Sequence, residues 1–461
     1  MKRISTFTLL VVLLSASLLH ASPPPGTQAD NNWIDTGSYD ISWYDGGASS
    51  EYTLTTAAQL AGLSALVCGK NTNWPTGSNS ETPLRNKVIK LDADIDLSEH
   101  YWVPIGQGQN SFGGWFDGQG HTITGLYIDY SDESYAFTDP ATSTAANIYQ
   151  GGANVNTGNM AGLFGRVNNQ NAGGYIQNIV LGEGLIKTHP SCFAAGALIG
   201  FNNRNVNLTV SNIINMGVEV IGGAQVGGIV GYSNSGTIYR NLANWAPVTM
   251  AYSNFIPSIM IYGGGLVSGA GDQVGLYNSY NAGTITVNSM ADLLYIGGLV
   301  GAVGPTNANL TGSPSGSFTS ASSANYYLDN NNRYYDVGSN GSDFFPGSKI
   351  STIDEMKTAG FLSQLNAGNE GDTWVSKGGS LPVFGSTQVS SIPKVKINSF
   401  KAHSENGEIV ISGLQEGSLV KVYNLTGQVV WSGLAQQDLR IALSKGIYIV
   451  KTIDGQAKVI N

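Results

Sequence analysis

The sequence predicts an all-β chain whose main body is a parallel β-solenoid, and three observations carry that prediction. Glycine is dense, 61 of 461 residues, while charged residues make up only 11%; ordinary soluble domains carry about 7% Gly and about 25% charge. An interior helical Gly costs about 1 kcal/mol relative to Ala, which argues against a helical protein. A hydrophobic content of 41% argues against disorder, and the absence of a Gly-X-Y period excludes collagen. Finally, a five-residue pattern recurs five times, and a strand pattern bending at Asn follows four of the copies.

Taken in order, Lys2 and Arg3 precede an apolar run from Phe7 to Leu19, with Ala21 before Ser22. This reads as a signal peptide over residues 1–21. The run is too short to span a bilayer and no later segment approaches the required length, so the expectation is export with no transmembrane segment.

The stretch Thr56–Val67 predicts a short helix with Thr55 or Thr56 as N-cap, placed to cover the open first coil, because an exposed end strand invites edge pairing. Leu91–Ser98 alternates apolar and polar residues as one strand. Ser111–Ile123 is a Gly-rich turn between two strand fragments.

Then come the repeats: Ala161–Gly165, Gly196–Gly200, Gly227–Gly231, Gly264–Ser268 and Gly297–Gly301. Anchored on Leu163, Leu198, Ile229, Leu266 and Leu299, they lie 35, 31, 37 and 33 residues apart. The strand pattern follows at Ile176–Ile179, Val210–Ile213, Ile238–Leu242 and Leu276–Ser279. Such a unit cannot bury its apolar face alone, whereas stacked units share one core. Glycines are expected where φ is positive or coils approach closely. Asn tolerates the left-handed conformation, and its amide can also stack along the axis. A propeller is the competing geometry, but no periodic Trp-Asp signature is present.

Residues 312–325 read as a loop and Ser348–Leu365 as a short helix that, with Trp374 and Leu381–Phe384, closes the solenoid. Residues 386–393 form a linker. Beyond it, five or more longer strands over residues 394–461 predict a small β-sandwich.

Chemistry is sparse. Asp92, Asp94, Asp96 and Asp117 are the candidates for a glycosidase pair, which needs two carboxylates about 5–9.5 Å apart, or for a Ca²⁺ site. The alternation reads the first three more simply as a solvated strand face, and Asp117 as a turn residue. His100, His121, His189 and His403 share no metal-binding spacing, and no Cys-x-x-Cys or Gly-x-Ser-x-Gly occurs; no cofactor is expected. Cys68 and Cys192 are too few for a disulfide framework. Residues 23–393 carry a net charge of −14 within a total of −9, which disfavours nucleic acid. Tyr326, Tyr327, Tyr334 and Tyr335 are candidate ligand contacts, since Tyr can stack on sugar rings or anchor protein contacts; packing against the last coil is the simpler role.

Residues 33–385 resemble secreted bacterial proteins with Glug motifs. The likeness runs from Tyr52–Leu63 through Asp92–Leu97, Trp102–Gly106, Phe116–Ile123 and the five repeats to Tyr326-Tyr327 and Met356–Leu365. It implies a right-handed β-helix on an exported, adhesin-like protein. Residues 394–461 resemble the C-terminal sorting domain of type IX secretion in Bacteroidota, through Val420–Val430, Leu443–Lys451 and Lys458–Ile460. That likeness implies contact with the secretion machinery and delivery to the outer membrane surface or the medium. The resulting expectation is a non-catalytic binding protein that contacts glycans or host and matrix proteins. The alternative is a β-helix polysaccharide lyase or glycosidase.

Overall fold

The structure, a computed structural model, describes residues 23–28, 30–69, 84–107, 110–131, 160–168, 173–189, 194–251, 260–271, 274–288, 293–303, 324–329, 335–337, 347–369, 374–376, 379–384, 401–405, 407–412, 419–424, 429–434, 438–452 and 455–460. The signal-peptide stretch, the 386–393 linker, Cys192 and Tyr334 lie outside the described residues. The chain divides into two compact units, Met1–Thr387 and Gln388–Asn461.

The first unit is a parallel β-solenoid. Among the described residues, 23 strands join one continuous sheet whose strand pairings are all parallel. The expected short strands often run on through the bends: Ile199–Gly222 is a single hydrogen-bonded strand of 24 residues. Pairing with the next coil resumes beyond the corner after a register shift between Arg204 and Leu208, so each straight piece remains short.

Register puts equivalent residues above one another. Tyr52, Ile89, Phe116, Ile176, Val210, Tyr239 and Leu276 form one column through seven levels, and every member is buried. Leu163, Leu198, Ile229, Leu266 and Leu299 of the repeated motif are also wholly buried. The periodic aliphatics thus make one core, as stacked repeats require.

Glycine and asparagine divide the two roles expected of the bends. No glycine of the five repeats takes a positive φ; Asn178, Asn212, Asn241 and Asn278 do, at 58°, 58°, 56° and 49°. The repeat glycines allow close approach instead. A Cβ on Gly162 would fall 2.6 Å from Gly196 O, and one on Gly228 would fall 2.6 Å from Asn244 Nδ2. In the fourth copy Ser268 takes the last glycine's place and donates its hydroxyl to Gly231 O.

Two amide ladders run along the stack. At the left-handed bends, Asn178 donates to Asp117 Oδ1 at 2.9 Å, Asn212 to Asn178 at 2.8 Å and Asn241 to Asn212 at 3.0 Å. Within, Asn215 donates to Asn244 and Asn244 to Asn281, each at 2.9 Å and fully buried. Their amides also satisfy the carbonyls of Val218, Ala246 and Gly283, so these buried polar groups are partnered.

Helix α1 (Ala57–Cys68) covers the first coil. Thr56 caps it by accepting from Gln59 N at 3.2 Å, and Gln59 Oε1 accepts from Thr55 N at 2.8 Å. Leu60, Leu63 and Val67 join the core. The other side of the helix is covered in turn, with Asp40 N bonded to Ala58 O at 2.8 Å. Cys68 is buried, and its Sγ donates to Pro104 O at 3.4 Å.

Two local expectations change. Leu91–Ser98 is not one strand but the ends of two, Val88–Leu91 and Ile95–Asp96, because the coil turns a corner at 92–94. The expected helix over Ser348–Leu365 begins as a strand, Gly347–Ile350, and becomes α-helical only in α2 (Ala359–Leu365). Thr358, extended at φ −83° and ψ 153°, caps α2 by accepting from Phe361 N and cannot itself be helical.

The α2 region lies along the flank of the solenoid. Asn278 Nδ2 donates to Leu365 O at 2.8 Å and to Ala367 O at 3.0 Å, and Trp374 Nε1 donates to Asn278 O at 2.8 Å. Tyr280 is enclosed by Phe361 and Trp374 and donates to Pro382 O at 2.6 Å. The contacts are lateral, so this segment clamps successive coils from the side.

The second unit is antiparallel. Lys401–Glu405, Glu408–Ser412 and Asp438–Ala442 form one sheet; Val429–Leu434, Leu419–Asn424, Ile447–Thr452 and Gly455–Ile460 form the other. Ile409, Ile411 and Ile441 of the first meet Val420, Val422, Val450 and Val459 of the second in one core. This is the small sandwich that the longer strands predict.

Candidate functional site

Each coil carries a three-residue piece whose middle side chain enters the core, so its two neighbours face outward. Stacked in register, these neighbours build two outer columns. The first holds Val88, Trp115, Tyr175, Thr209 and Ile238; the second holds Lys90, Asp117, Gln177, Ser211, Arg240 and Tyr277. Adjacent rows lie about 4.8 Å apart.

Trp115 and Tyr175 pair across neighbouring coils, with ring centroids 5.5 Å apart and planes inclined by 35°. Both are half-buried, and the Trp115 indole nitrogen is buried with no hydrogen-bond partner among the described residues. Beside them Asp117 is held by three donors. Its Oδ1 accepts from Gln119 N and Asn178 Nδ2, each at 2.9 Å, and its Oδ2 accepts from Gln177 Nε2 at 3.0 Å. Lys90 lies 2.7 Å from Glu51 Oε2, and that hydrogen bond raises the lysine pKa. Burial first, and then the negative charge of Asp117, push the Tyr175 hydroxyl above its ordinary value. Further along the same face, the Arg240 guanidinium stands 5.0 Å over the Tyr277 ring, and Ile238 is 40% exposed.

Asp94, Asp96 and Asp117, singled out in the sequence, each accept hydrogen bonds from the backbone of a nearby turn or strand. Asp94 Oδ1 accepts from Thr122 N at 2.9 Å and lies 3.2 Å from His121 Nδ1. Asp96 accepts from Ser98 N at 3.0 Å, and Asp92 is exposed at the corner. The corner removes the shared strand face that would have aligned Asp92 with Asp94. Among the described residues, no group of three or more His, Cys, Asp or Glu could hold a metal ion.

Of the four tyrosines, Tyr327 is buried, with its ring against Gly298. Tyr326 packs edge-on against Phe361, and burial raises its hydroxyl pKa. Tyr335 begins a short strand, Tyr335–Val337, and its side chain lies outside the described residues, as does all of Tyr334.

Sequence reasoning missed the Trp115–Tyr175 pair, although a signal was present. Trp115-Phe116-Asp117 before Gly118 and Tyr175-Ile176-Gln177 before Asn178 follow one scheme of outward ring, inward apolar residue, outward polar residue and bend.

Among the described residues, no helix is long and apolar enough to cross a membrane. No model of a known protein family matches the chain, and no curated protein matches it. Among solved structures, the chain is similar to a candidate immunoglobulin A1 protease from Bacteroides ovatus, with a TM-score of 0.40 and 15% identity over 74% of this chain and 94% of that one.

Proposed function

We propose that the mature chain is an exported, non-catalytic binding protein, surface-attached or released, whose solenoid contacts glycans or host and matrix proteins. In this reading the Glug-like repeats form the display scaffold and residues 394–461 engage the secretion machinery. The observation that carries it is the outward row at Asp117, whose carboxyl oxygens accept from Gln119 N, Asn178 Nδ2 and Gln177 Nε2 beside the Trp115–Tyr175 ring pair. Fixed polar groups next to apolar ring faces are what a binding surface needs.

The test is to assay the mature chain in parallel for retention on immobilised glycans and matrix proteins and for release of reducing ends from the same glycans. Retention without release supports the reading. Sugar release that disappears in Asp94→Ala or Asp117→Asn overturns it in favour of the lyase or glycosidase alternative.

A further inference from the structure

We infer that the clamp is a tension anchor: a pull on the chain beyond Phe384 enters the solenoid at Tyr280, two levels before the strand Gly347–Ile350, and bypasses the coils between. The mechanics follow from the fold alone. Their use, in a chain held through residues 394–461 while the solenoid holds a ligand, rests on the binding reading above.

The order of contacts along the clamp carries the inference. Tyr280 stacks in register on Tyr326, and Tyr326 on Ser348, so the solenoid runs on for two levels past Tyr280. The chain then turns back. Phe361 in α2 lies edge-on to Tyr326, with ring centroids 5.2 Å apart, and edge-on to Tyr280 at 5.9 Å. Leu365 O and Ala367 O next accept from Asn278, on the level of Tyr280. Asn369 finally reaches Asn241, one level further in, at 3.0 Å. The clamp thus passes over these levels against the direction in which the solenoid grows.

The end of the clamp is held by rings and by hydrogen bonds. Val383 and Phe384 pair antiparallel with Val375 and Trp374. Trp374 and Phe384 are buried, with centroids 4.2 Å apart, and Trp374 Nε1 donates to Asn278 O at 2.8 Å. The buried Tyr280 hydroxyl donates to Pro382 O at 2.6 Å and accepts from Trp245 Nε1 at 2.8 Å. A pull on Phe384 therefore meets, two residues back, a side chain that belongs to an inner coil. Tyr280 pairs with Ala243 on one side and with Tyr326 on the other.

That entry point matters because the repeats of a solenoid hold only their neighbours. A coil lacking one neighbour opens first and locally, whereas one paired on both sides opens only with them. Among the described residues, Gly347–Ile350 pairs with Asn325–Leu328 alone. Tension arriving there would peel the stack coil by coil; tension arriving at Tyr280 does not.

The test is constant-force optical-trap pulling of the full mature chain. One handle sits on Lys187→Cys, an exposed position in an earlier coil, in a Cys192→Ser background, and the other at the C-terminus. Opening of the second unit is a separate event, recognised by its length. Tyr280→Phe, which keeps the ring, should speed the first rupture of the solenoid about tenfold, and Trp374→Ala at least about a hundredfold. Val300→Ala, at a buried site in the bypassed coils, should leave that rate unchanged. Circular dichroism matching the parent guards against misfolding as the cause. Unchanged rates in both clamp variants overturn the inference. So does acceleration by Val300→Ala as large as that by Tyr280→Phe, or stepwise lengthening from residues 285–350 before the rupture in the parent. Retention on glycans or matrix proteins is read separately, so the binding reading does not fall with the anchor.

Discussion

Asn369, beyond the end of α2, donates its amide to Oδ1 of Asn241 at 3.0 Å, across 128 residues of chain. It adds a rung to the ladder at the bends where Asn278, the next asparagine in the series, has turned its own amide to Leu365 and Ala367. The ladder and the clamp are thus one hydrogen-bonded system.

Asn369→Ala should therefore loosen the clamp without unfolding the solenoid. A buried hydrogen bond contributes about 1 kcal/mol, so hydrogen exchange over residues 359–376 should quicken about fivefold while the early coils keep their protection. Trp374→Ala, which empties the ring site between Tyr280 and Phe384, should cost about 3–5 kcal/mol. Unchanged exchange in Asn369→Ala would show that the rung contributes nothing.

Asn212 serves two ends, a left-handed bend at φ 58° and a rung to Asn178 and Asn241. Substitution separates them. Asn212→Ala loses the rung and strains the backbone, for about 2–3 kcal/mol; Asn212→Gly keeps the bend and should lose about 1–2 kcal/mol. Urea unfolding followed by circular dichroism measures both, and equal losses would remove the conformational part of the argument.

Gly228→Ala should destabilise the unit by about 1–3 kcal/mol, the usual range for an overpacked site, because its methyl would meet Asn244 and the backbone of Gly265. At the same motif position one coil earlier the chain already carries Ala197, fully buried. Ala197→Gly, which removes one buried methyl, should cost about 1 kcal/mol. Melting temperatures of the two variants give the comparison, and a Gly228→Ala protein as stable as the parent would contradict the close-approach account.

The N-terminal cover should respond to pH. Hydrogen bonds from the Ser49 hydroxyl and then the Tyr52 hydroxyl hold the Asp45 carboxyl well below its ordinary value of 3.8. A depressed pKa contributes stability that is present above the unfolded value and lost as pH falls through the folded one. Loss should thus set in below about pH 4 and be absent in Asp45→Asn. Burial, with Asp45 as a hydrogen-bonding partner, pushes the Tyr52 hydroxyl up to about 12, so its contribution is present below 10 and disappears as pH rises through about 12. Trp43, whose ring lies 5.3 Å from that of Tyr52, reports both limits by fluorescence, with Trp43→Phe as the control. Identical acid profiles for Asp45→Asn and the parent would exclude the mechanism.

The solenoid was legible because its cause is local and repeated: Leu163, Ile229, Leu266 and Leu299 each follow a glycine that lets the next coil approach, and Leu198 follows the small Ala197. The division of labour between glycine and asparagine was half legible. Composition shows that both residues crowd the bends, but only the backbone shows that Asn178 and its equivalents take the positive φ. The corner at Asp92–Asp94 escaped because alternation in burial survives a turn that breaks a strand. The ring pair escaped because register between Trp115 and Tyr175 depends on how a long intervening stretch, 118–174, returns the chain to the same column, and no spacing rule encodes that.

In-register stacking also makes the reach of the outer face a matter of copy number. Each coil sets one row of two outward side chains, and the core column beneath is indifferent to them. Duplicating a repeat would lengthen the face by about 4.8 Å and leave the existing rows in place, while a single outward substitution would rewrite one row without disturbing its neighbours. The molecule is in that sense a ruler whose length and markings can be edited separately.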